Sequence, residues 1–111
     1  MYIIAGAGNA PGYVVNNIQT GEWLAYTIRV GRSGTFQIQA KVSSKFANSR
    51  FHIEIDGVNV TGPILAPNTG NWNTFRFVGK AGVNLSAEQH ILRIYSEQEY
   101  INLDAIRIRR N

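Results

Sequence analysis

One tryptophan stands at the end of a run of turn-forming residues, the segment PNTGNW from Pro67 to Trp72. Pro presets one backbone angle, and Gly and Asn tolerate conformations that other residues avoid, so the run predicts a loop. Loops lie at the surface, where core packing does not explain so large an apolar ring. Trp72 is therefore the first candidate for ligand contact, and the chemistry that its ring offers is stacking.

The residues that could support catalysis do not form a convincing set. A glycosidase needs two carboxylates across a cleft, whereas Glu97 and Glu99 are expected in a charged loop before the last strand. His52 and His90 lack the spacing of metal ligands. The Gly-rich stretch GAGNAPG is not followed by the Lys-Ser or Lys-Thr of a phosphate loop. We therefore expect a protein that is not an enzyme.

Length and composition indicate one globular domain spanning 1–111, because 44% of the 111 residues are hydrophobic and only 16% are charged. The chain has no cysteine, which excludes disulfides and thiolate metal sites. No apolar run approaches the roughly 20 residues of a membrane helix, so we expect no membrane partner. No signal peptide is visible, so the location is unknown from sequence. If the chain is part of a longer secreted enzyme, we expect it to be extracellular.

The net charge of +4 permits an acidic partner. However, most of the basic residues are scattered, and only the RIRR segment with Arg107, Arg109 and Arg110 is a cluster. Alternation of this kind is typical of the solvated face of a strand. The charge therefore gives little support to nucleic-acid binding.

The elements that must position these residues are β-strands. TFQIQAKV and RFHIEID alternate strictly between apolar and polar residues, and FRF and AIRIR repeat the pattern. Gly and Asn turn signals separate these segments, and no convincing helix appears; LSAEQHIL is the nearest candidate. Short strands at regular spacing predict an all-β, antiparallel sandwich or barrel.

Several landmarks follow one another in a specific order: GEW, DG with a following TG, PNTGNW, and NLDAI near the end. This ordered set, over the segment from Gly21 to Ile108, resembles carbohydrate-binding module family 6. The resemblance implies an antiparallel β-sandwich of jelly-roll, galactose-binding-like topology that is not catalytic and requires no cofactor. It also implies a poly- or oligosaccharide partner and attachment to a glycoside hydrolase.

The resemblance further implies a cleft among loops at one edge of the sandwich, where two aromatic rings clamp a sugar and an asparagine bonds its hydroxyls. Trp72 matches one ring and Asn102 matches the asparagine. The position of the second ring, counted without gaps from GEW, is held by Asn17, whereas Tyr13 stands four residues earlier. Either Tyr13 reaches the cleft through a longer loop, as we expect, or the cleft has lost one wall.

The start of the chain departs from the family pattern. Relatives begin with a strand that carries two acids and helps to bind a structural calcium, but MYIIAGAGNA contains no acid. Asp104 matches the C-terminal ligand position only loosely, and we expect calcium to be absent or weakly bound. We also expect that the first strand is missing, which would expose a sheet edge through which the chain could form a homo-oligomer.

Some relatives have a second site on a sheet face that uses the tryptophan of the Gly-acid-Trp element, which is Trp23 here. The residues expected to face outward and to supply polar partners are Gln37, Gln39, His52, Glu54 and Arg76. The alternative, which we prefer from sequence, places Trp23 in the core.

Two other functions stay open. The sandwich could be a scaffold or protein-interaction module that has lost sugar binding, as Asn17 in place of an aromatic residue suggests. It could also bind single-stranded nucleic acid through aromatic residues and arginines. The nucleic-acid alternative is the weaker one, because Phe75 and Phe77 fall on the same side of their segment and are expected in the core.

Overall fold

The computed structural model describes residues 2–5, 15–98 and 100–110, and it describes the side chains of 18–98 and 100–110. This part of the chain folds into ten β-strands without a helix. The strands are β1 (Tyr2–Ala5), β2 (Val15–Ile18), β3 (Trp23–Arg29), β4 (Gly34–Ser43), β5 (Arg50–Ile55), β6 (Val58–Asn59), β7 (Ile64–Leu65), β8 (Arg76–Leu85), β9 (Gln89–Gln98) and β10 (Ile101–Arg110). No helix in it is long and apolar enough to cross a membrane.

The strands form two antiparallel sheets that pack face to face as a β-sandwich. The first sheet has the order β1-β10-β4-β8, with β2 also paired to β10, and the second has the order β3-β9-β5-β6, with β7 paired to β5. The predicted all-β sandwich is therefore confirmed. LSAEQHIL, the nearest helix candidate, consists of the last residue of β8, a bent connection over 86–88 and the start of β9.

The core lies between the two sheets and follows the alternation of the sequence. In β4 the apolar residues from Phe36 to Val42 point inward and are buried, while Gln37, Gln39 and Lys41 are partly exposed. The same pattern holds in β5, where Phe51 and Ile53 are fully buried. Each such side chain contributes on the order of 1.5–3 kcal/mol through burial, which fixes the inward face of its strand.

The expectation that the first strand is missing is wrong. Tyr2–Ala5 forms β1, which pairs antiparallel with β10 from Tyr2 opposite Ile108 to Ala5 opposite Ala105. Strand pairing uses backbone N–H and C=O groups, so the lack of acidic side chains in this segment does not prevent it. β1 and β2 together cover the edge of β10 that faces away from β4.

The expectation that Phe77 lies in the core is also wrong. In β8 it is Val78 that packs against the core cluster. Phe77 lies opposite Lys41 on the outer face of the first sheet, where the Arg107 guanidinium carbon is 3.9 Å from its ring centroid. Alternation shows that Phe75 and Phe77 share a side but cannot show which side is inward, and here two cations shield the ring of Phe77 instead.

The long strands β4 and β10 run the length of the sandwich and define its two ends. We call the end that holds the close of β4 and the start of β10 the loop end, because the segments 44–49 and 66–75 lie there. The opposite end holds the close of β3, the start of β4 and the close of β10. These two ends carry the sites described below.

Candidate functional site

The loop that carries Trp72 is shaped by its own polar side chains. The Asn68 side-chain oxygen accepts a hydrogen bond from the Gly70 N–H at 2.9 Å, and Asn71 accepts one from the Asn73 N–H at 2.8 Å. Gly70 has a φ of +91°, in the region that favours glycine. These local turns give the loop a defined shape, as the turn chemistry of PNTGNW predicts.

The loop is then tied to the ends of the two long strands. The Thr69 N–H donates to the Ser44 carbonyl oxygen at 2.9 Å, and the Ser43 hydroxyl donates to the Trp72 carbonyl oxygen at 2.8 Å. The Asn102 amide nitrogen reaches the same carbonyl oxygen at 3.4 Å. The structure therefore brings together Trp72 and Asn102, two of the residues selected from sequence, although 29 residues lie between them.

Two further buried serines anchor neighbouring segments at the loop end. The Ser44 hydroxyl accepts from the Phe46 N–H at 3.0 Å and lies 2.8 Å from the Ser49 hydroxyl. Ser49 in turn donates to the Tyr100 carbonyl oxygen at 3.0 Å. Because buried polar groups are costly to leave unpaired, this network holds the segments of Phe46 and Tyr100 beside each other.

Three aromatic rings meet on this framework, and we call Phe46, Trp72 and Tyr100 the loop-end aromatic cluster. The Phe46 and Trp72 ring centroids are 5.8 Å apart in an edge-on arrangement, and those of Phe46 and Tyr100 are also 5.8 Å apart. Phe46 is 38% exposed and Tyr100 is 40% exposed. A surface that keeps large apolar rings partly in water is suited to ligand contact.

Sequence reasoning missed Phe46 and Tyr100. The signal was present for Phe46, which stands in SSKFANS as a single large apolar residue among small polar ones. That is the same pattern that selected Trp72. Tyr100 directly precedes a strand and has no such signal.

The two candidates for the opposite wall of the cleft stay predictions. Tyr13 lies outside the described residues. Asn17 lies in β2, which pairs with the start of β10 through Ile18 and Ile101, so its backbone is close to that of Asn102. The structure describes the backbone of Asn17 but not its side chain.

A second aromatic surface lies on the outer face of the second sheet. Trp23 is 50% exposed, so the preferred expectation that it lies in the core is wrong. The alternation of β3 contained this answer, because Leu24, Tyr26 and Ile28 occupy its inward side. Trp23 must then face solvent.

Charged and aromatic residues from three strands surround Trp23. The Arg93 guanidinium carbon lies 4.4 Å from its ring centroid, and an Arg93 Nη atom is 3.6 Å from Glu54 Oε1. His52 Nε2 is 2.8 Å from Glu54 Oε2, and its ring stacks on Tyr95 with centroids 5.1 Å apart. Glu97 Oε2 is 2.9 Å from His52 Nδ1. We call this surface the sheet-face platform; its members are Trp23, His52, Glu54, Arg93, Tyr95 and Glu97.

The other residues expected to join Trp23 lie elsewhere. Gln37 and Gln39 are in β4 and Arg76 is in β8, both strands of the first sheet. Their alternation indicates an outward side chain but carries no information about which sheet a strand joins. Glu97, expected in a charged loop, is instead part of β9.

Asp104, the loosely matched calcium ligand, forms an ion pair with Lys41 at 3.2 Å. Within the described ranges no group of three or more His, Cys, Asp or Glu side chains is arranged to hold a metal ion. The prediction that calcium is absent or weakly bound remains a prediction.

Comparison with known proteins identifies the family. The model of carbohydrate binding module family 6 matches residues 2–110 of this chain. The chain belongs to this family. Its members are non-catalytic carbohydrate-binding modules, typically found in secreted glycoside hydrolases. A search of curated proteins found no match.

Solved structures of family 6 modules resemble this one. The C-terminal module of LamC, a marine laminarinase from Zobellia galactanivorans, is 27% identical with a TM-score of 0.80, over 96% of this chain and 98% of that chain. The CBM6cm-2 module of Cellvibrio mixtus lichenase 5A, in complex with cellotriose, is 30% identical with a TM-score of 0.79, over 99% and 86%. A Clostridium cellulolyticum module in complex with xylose shares the fold at 17% identity and a TM-score of 0.79, over 97% and 96%.

Proposed function

We propose that this module binds a neutral oligo- or polysaccharide at the loop end, with Trp72 as the stacking surface and Asn102 as a polar partner. The observation that carries the proposal is the convergence of the half-buried Trp72, the buried Asn102 and the exposed rings of Phe46 and Tyr100 on one hydrogen-bonded framework. Membership of the family and the cellotriose complex of a 30% identical relative support it.

The chemistry of a sugar ring fits this surface. One face of a pyranose presents C–H groups, which pack against an aromatic ring, and its rim of hydroxyl groups needs fixed donors and acceptors. An asparagine amide offers both. Because the contact area of a shallow surface is small, we expect dissociation constants from about micromolar to millimolar, which corresponds to roughly −8 to −4 kcal/mol.

The sheet-face platform is a second candidate surface for the same function. This candidate is favoured by the half-exposed ring of Trp23, which lies beside carboxylates that can accept hydrogen bonds from sugar hydroxyls. It lies on the outer face of a sheet rather than among loops, so we propose that it contacts the middle of a chain rather than its end. In a longer parent protein, either surface would hold an attached glycoside hydrolase on its polysaccharide.

Isothermal titration calorimetry with cello-, laminari- and xylo-oligosaccharides tests the proposal. We expect at least one series to bind, and Trp72→Ala to weaken that binding at least tenfold while Trp23→Ala has a smaller effect. The two variants are matched controls because each removes one indole. No binding by any series would contradict the proposal for these sugars, and loss in Trp23→Ala alone would move the site to the sheet-face platform.

The same titrations distinguish the alternatives. Because a neutral sugar releases no counterions, its affinity should change little between about 50 and 500 mM NaCl, whereas binding of single-stranded DNA should weaken steeply. A scaffold would bind neither and would show self-association in analytical ultracentrifugation. Since we propose that no cofactor is required, EDTA should leave the sugar affinity unchanged.

A further inference from the structure

A cavity of about 290 Å³ opens at the end of the sandwich opposite the loop end. Its apolar floor is formed by side chains of the core, Ile28, Phe36 and Ile108. Three cationic residues, Arg29, Arg32 and Arg110, line it as well. Ile108 at the cavity stands six positions after Asn102 at the loop end along β10, which is about 20 Å at the usual rise of a strand.

None of the three arginines pairs with a carboxylate of the described residues. Among the described residues, neither Arg29 nor Arg32 lies within ion-pair distance of an acidic side chain. No acidic residue of the described ranges lines the cavity. The cavity therefore has a positive rim whose charge is not neutralised by the described protein.

The third arginine is held in place. Arg110 donates to the Arg32 carbonyl oxygen at 2.6 Å, and its guanidinium carbon lies 4.8 Å from the Phe36 ring centroid. The absence of a side chain at Gly34 makes room for it, because a Cβ there would collide with the Arg110 guanidinium. A fixed guanidinium is organised to recognise a planar anion, since little side-chain entropy is left to lose.

We propose that this cavity is a binding site for a saccharide unit that carries a carboxylate or sulfate group. The apolar floor would pack against the C–H face of one ring, and the arginines would bind the anionic substituent. The volume is at the lower end of the range of about 300–1,000 Å³ usual for small-molecule sites, so it suits a single ring rather than a length of chain. This inference does not rest on the function proposed for the loop end.

The test uses two acidic probes and a neutral one: a galacturonic acid trisaccharide, a sulfated carrageenan tetrasaccharide, and whichever neutral oligosaccharide binds the loop end. We expect at least one acidic probe to bind, which also identifies the anion. The double variant Arg29→Gln, Arg32→Gln should weaken that binding about tenfold or more, because charge-assisted hydrogen bonds are lost. Its affinity for the neutral probe should not change.

The matched control is the double variant Arg76→Gln, Lys80→Gln, which removes the same charge from exposed positions of β8. It should weaken acidic-probe binding less than about threefold. In NMR titrations of the unaltered protein, the acidic probe should shift the Gly31 and Gly34 amides, a readout that does not depend on any variant.

Three results would overturn the inference. They are no binding of either acidic probe, equal weakening by the two double variants, and loss of acidic-probe binding in Trp72→Ala but not in the Arg29, Arg32 variant. The third result would place the anion at the loop end. If only the neutral oligosaccharide failed to bind, that result would count against the function proposed for the loop end and not against this inference.

Discussion

His90 is a buried histidine whose two ring nitrogens both face oxygen acceptors. Nδ1 is 2.6 Å from the Asp56 carboxylate, and Nε2 is 2.9 Å from the Ser86 carbonyl oxygen. Both contacts require an N–H, so the geometry favours the charged imidazolium. The hydrogen bond to Asp56 raises the pKa of His90 above its usual 6.5, and the bond to the Ser86 carbonyl oxygen adds to this. The hydrogen bonds from His90 and from the Ile91 N–H lower the pKa of Asp56 below its usual 3.8.

The pH dependence follows from these directions. A raised histidine pKa contributes stability that is complete below about pH 6.5 and is lost as the pH rises through the folded-state value. A lowered aspartate pKa contributes stability above about pH 3.8 that is lost as the pH falls through its folded-state value. We therefore predict that Asp56→Asn destabilises the fold most between about pH 4 and 6.5, and less once the pH has risen through the folded-state pKa of His90, as measured by urea denaturation at a series of pH values.

Asn is a suitable replacement, because Asp56 has a φ of +52° and Asn tolerates that region. The substitution thus removes the charge while it preserves the turn with Gly57. Some destabilisation should persist at high pH, because the bond that Asp56 accepts from the Ile91 N–H at 2.8 Å is charge-assisted, and Asn offers only a neutral oxygen there. A loss that does not diminish as the pH rises from about 5 through the alkaline range would show that the His90 charge does not contribute.

Single residues were predictable from sequence where a local pattern isolates them. Trp72 stood out because turn residues surround it, and Asn102 was reached only through the ordered family landmarks. SSKFANS isolates Phe46 in a similar way, but nothing local connects Phe46 or Tyr100 to Trp72, because their proximity depends on a network of buried serines between distant segments. Such long-range contacts are a property of the folded chain.

At the scale of elements, period-two alternation predicted the strands and the inward faces of β4 and β5. It did not place Phe77, because β8 is an edge strand whose pairing with β4 shifts register between Phe36 and Ile38. An irregularity of this kind changes which residues share a face. Nor could alternation assign Gln39 and Glu54 to different sheets, since sheet membership depends on non-local pairing.

The close approach of β8 to β4 yields a prediction at this scale. Gly79 lies opposite Gln39, and a Cβ at this position would collide with the Ile38 carbonyl oxygen and the Gln39 backbone. Gly79→Ala should therefore lower the free energy of unfolding by about 1–3 kcal/mol, the usual effect of overpacking. Urea denaturation at pH 6 would measure it as a lower midpoint with an unchanged slope.

Gly31→Ala is the matched control for this substitution. A Cβ at Gly31 would meet nothing within 4 Å, and its φ lies outside the region that favours glycine. We expect a change within about 0.5 kcal/mol, as for an ordinary surface position. Equal effects of the two substitutions would show that the contact between β8 and β4 is not tight.

At the scale of the whole molecule, the sandwich separates its candidate surfaces. The loop-end aromatic cluster and the arginine-lined cavity lie at opposite ends of the long strands, and the sheet-face platform lies on a broad face between them. Sites this far apart and without shared partners should respond independently to substitution. A polymer with neutral and acidic units could therefore contact more than one surface of the same module.

The central claim is that sugar binds at the loop end, and the two tryptophans of the chain allow a direct test. In a nitrogen–proton NMR spectrum each indole N–H gives one signal, and the Trp23→Phe variant assigns them. On titration with the oligosaccharide that binds, the account predicts that the Trp72 indole signal shifts until saturation. A saturated complex in which only the Trp23 signal moves, or neither does, would contradict it.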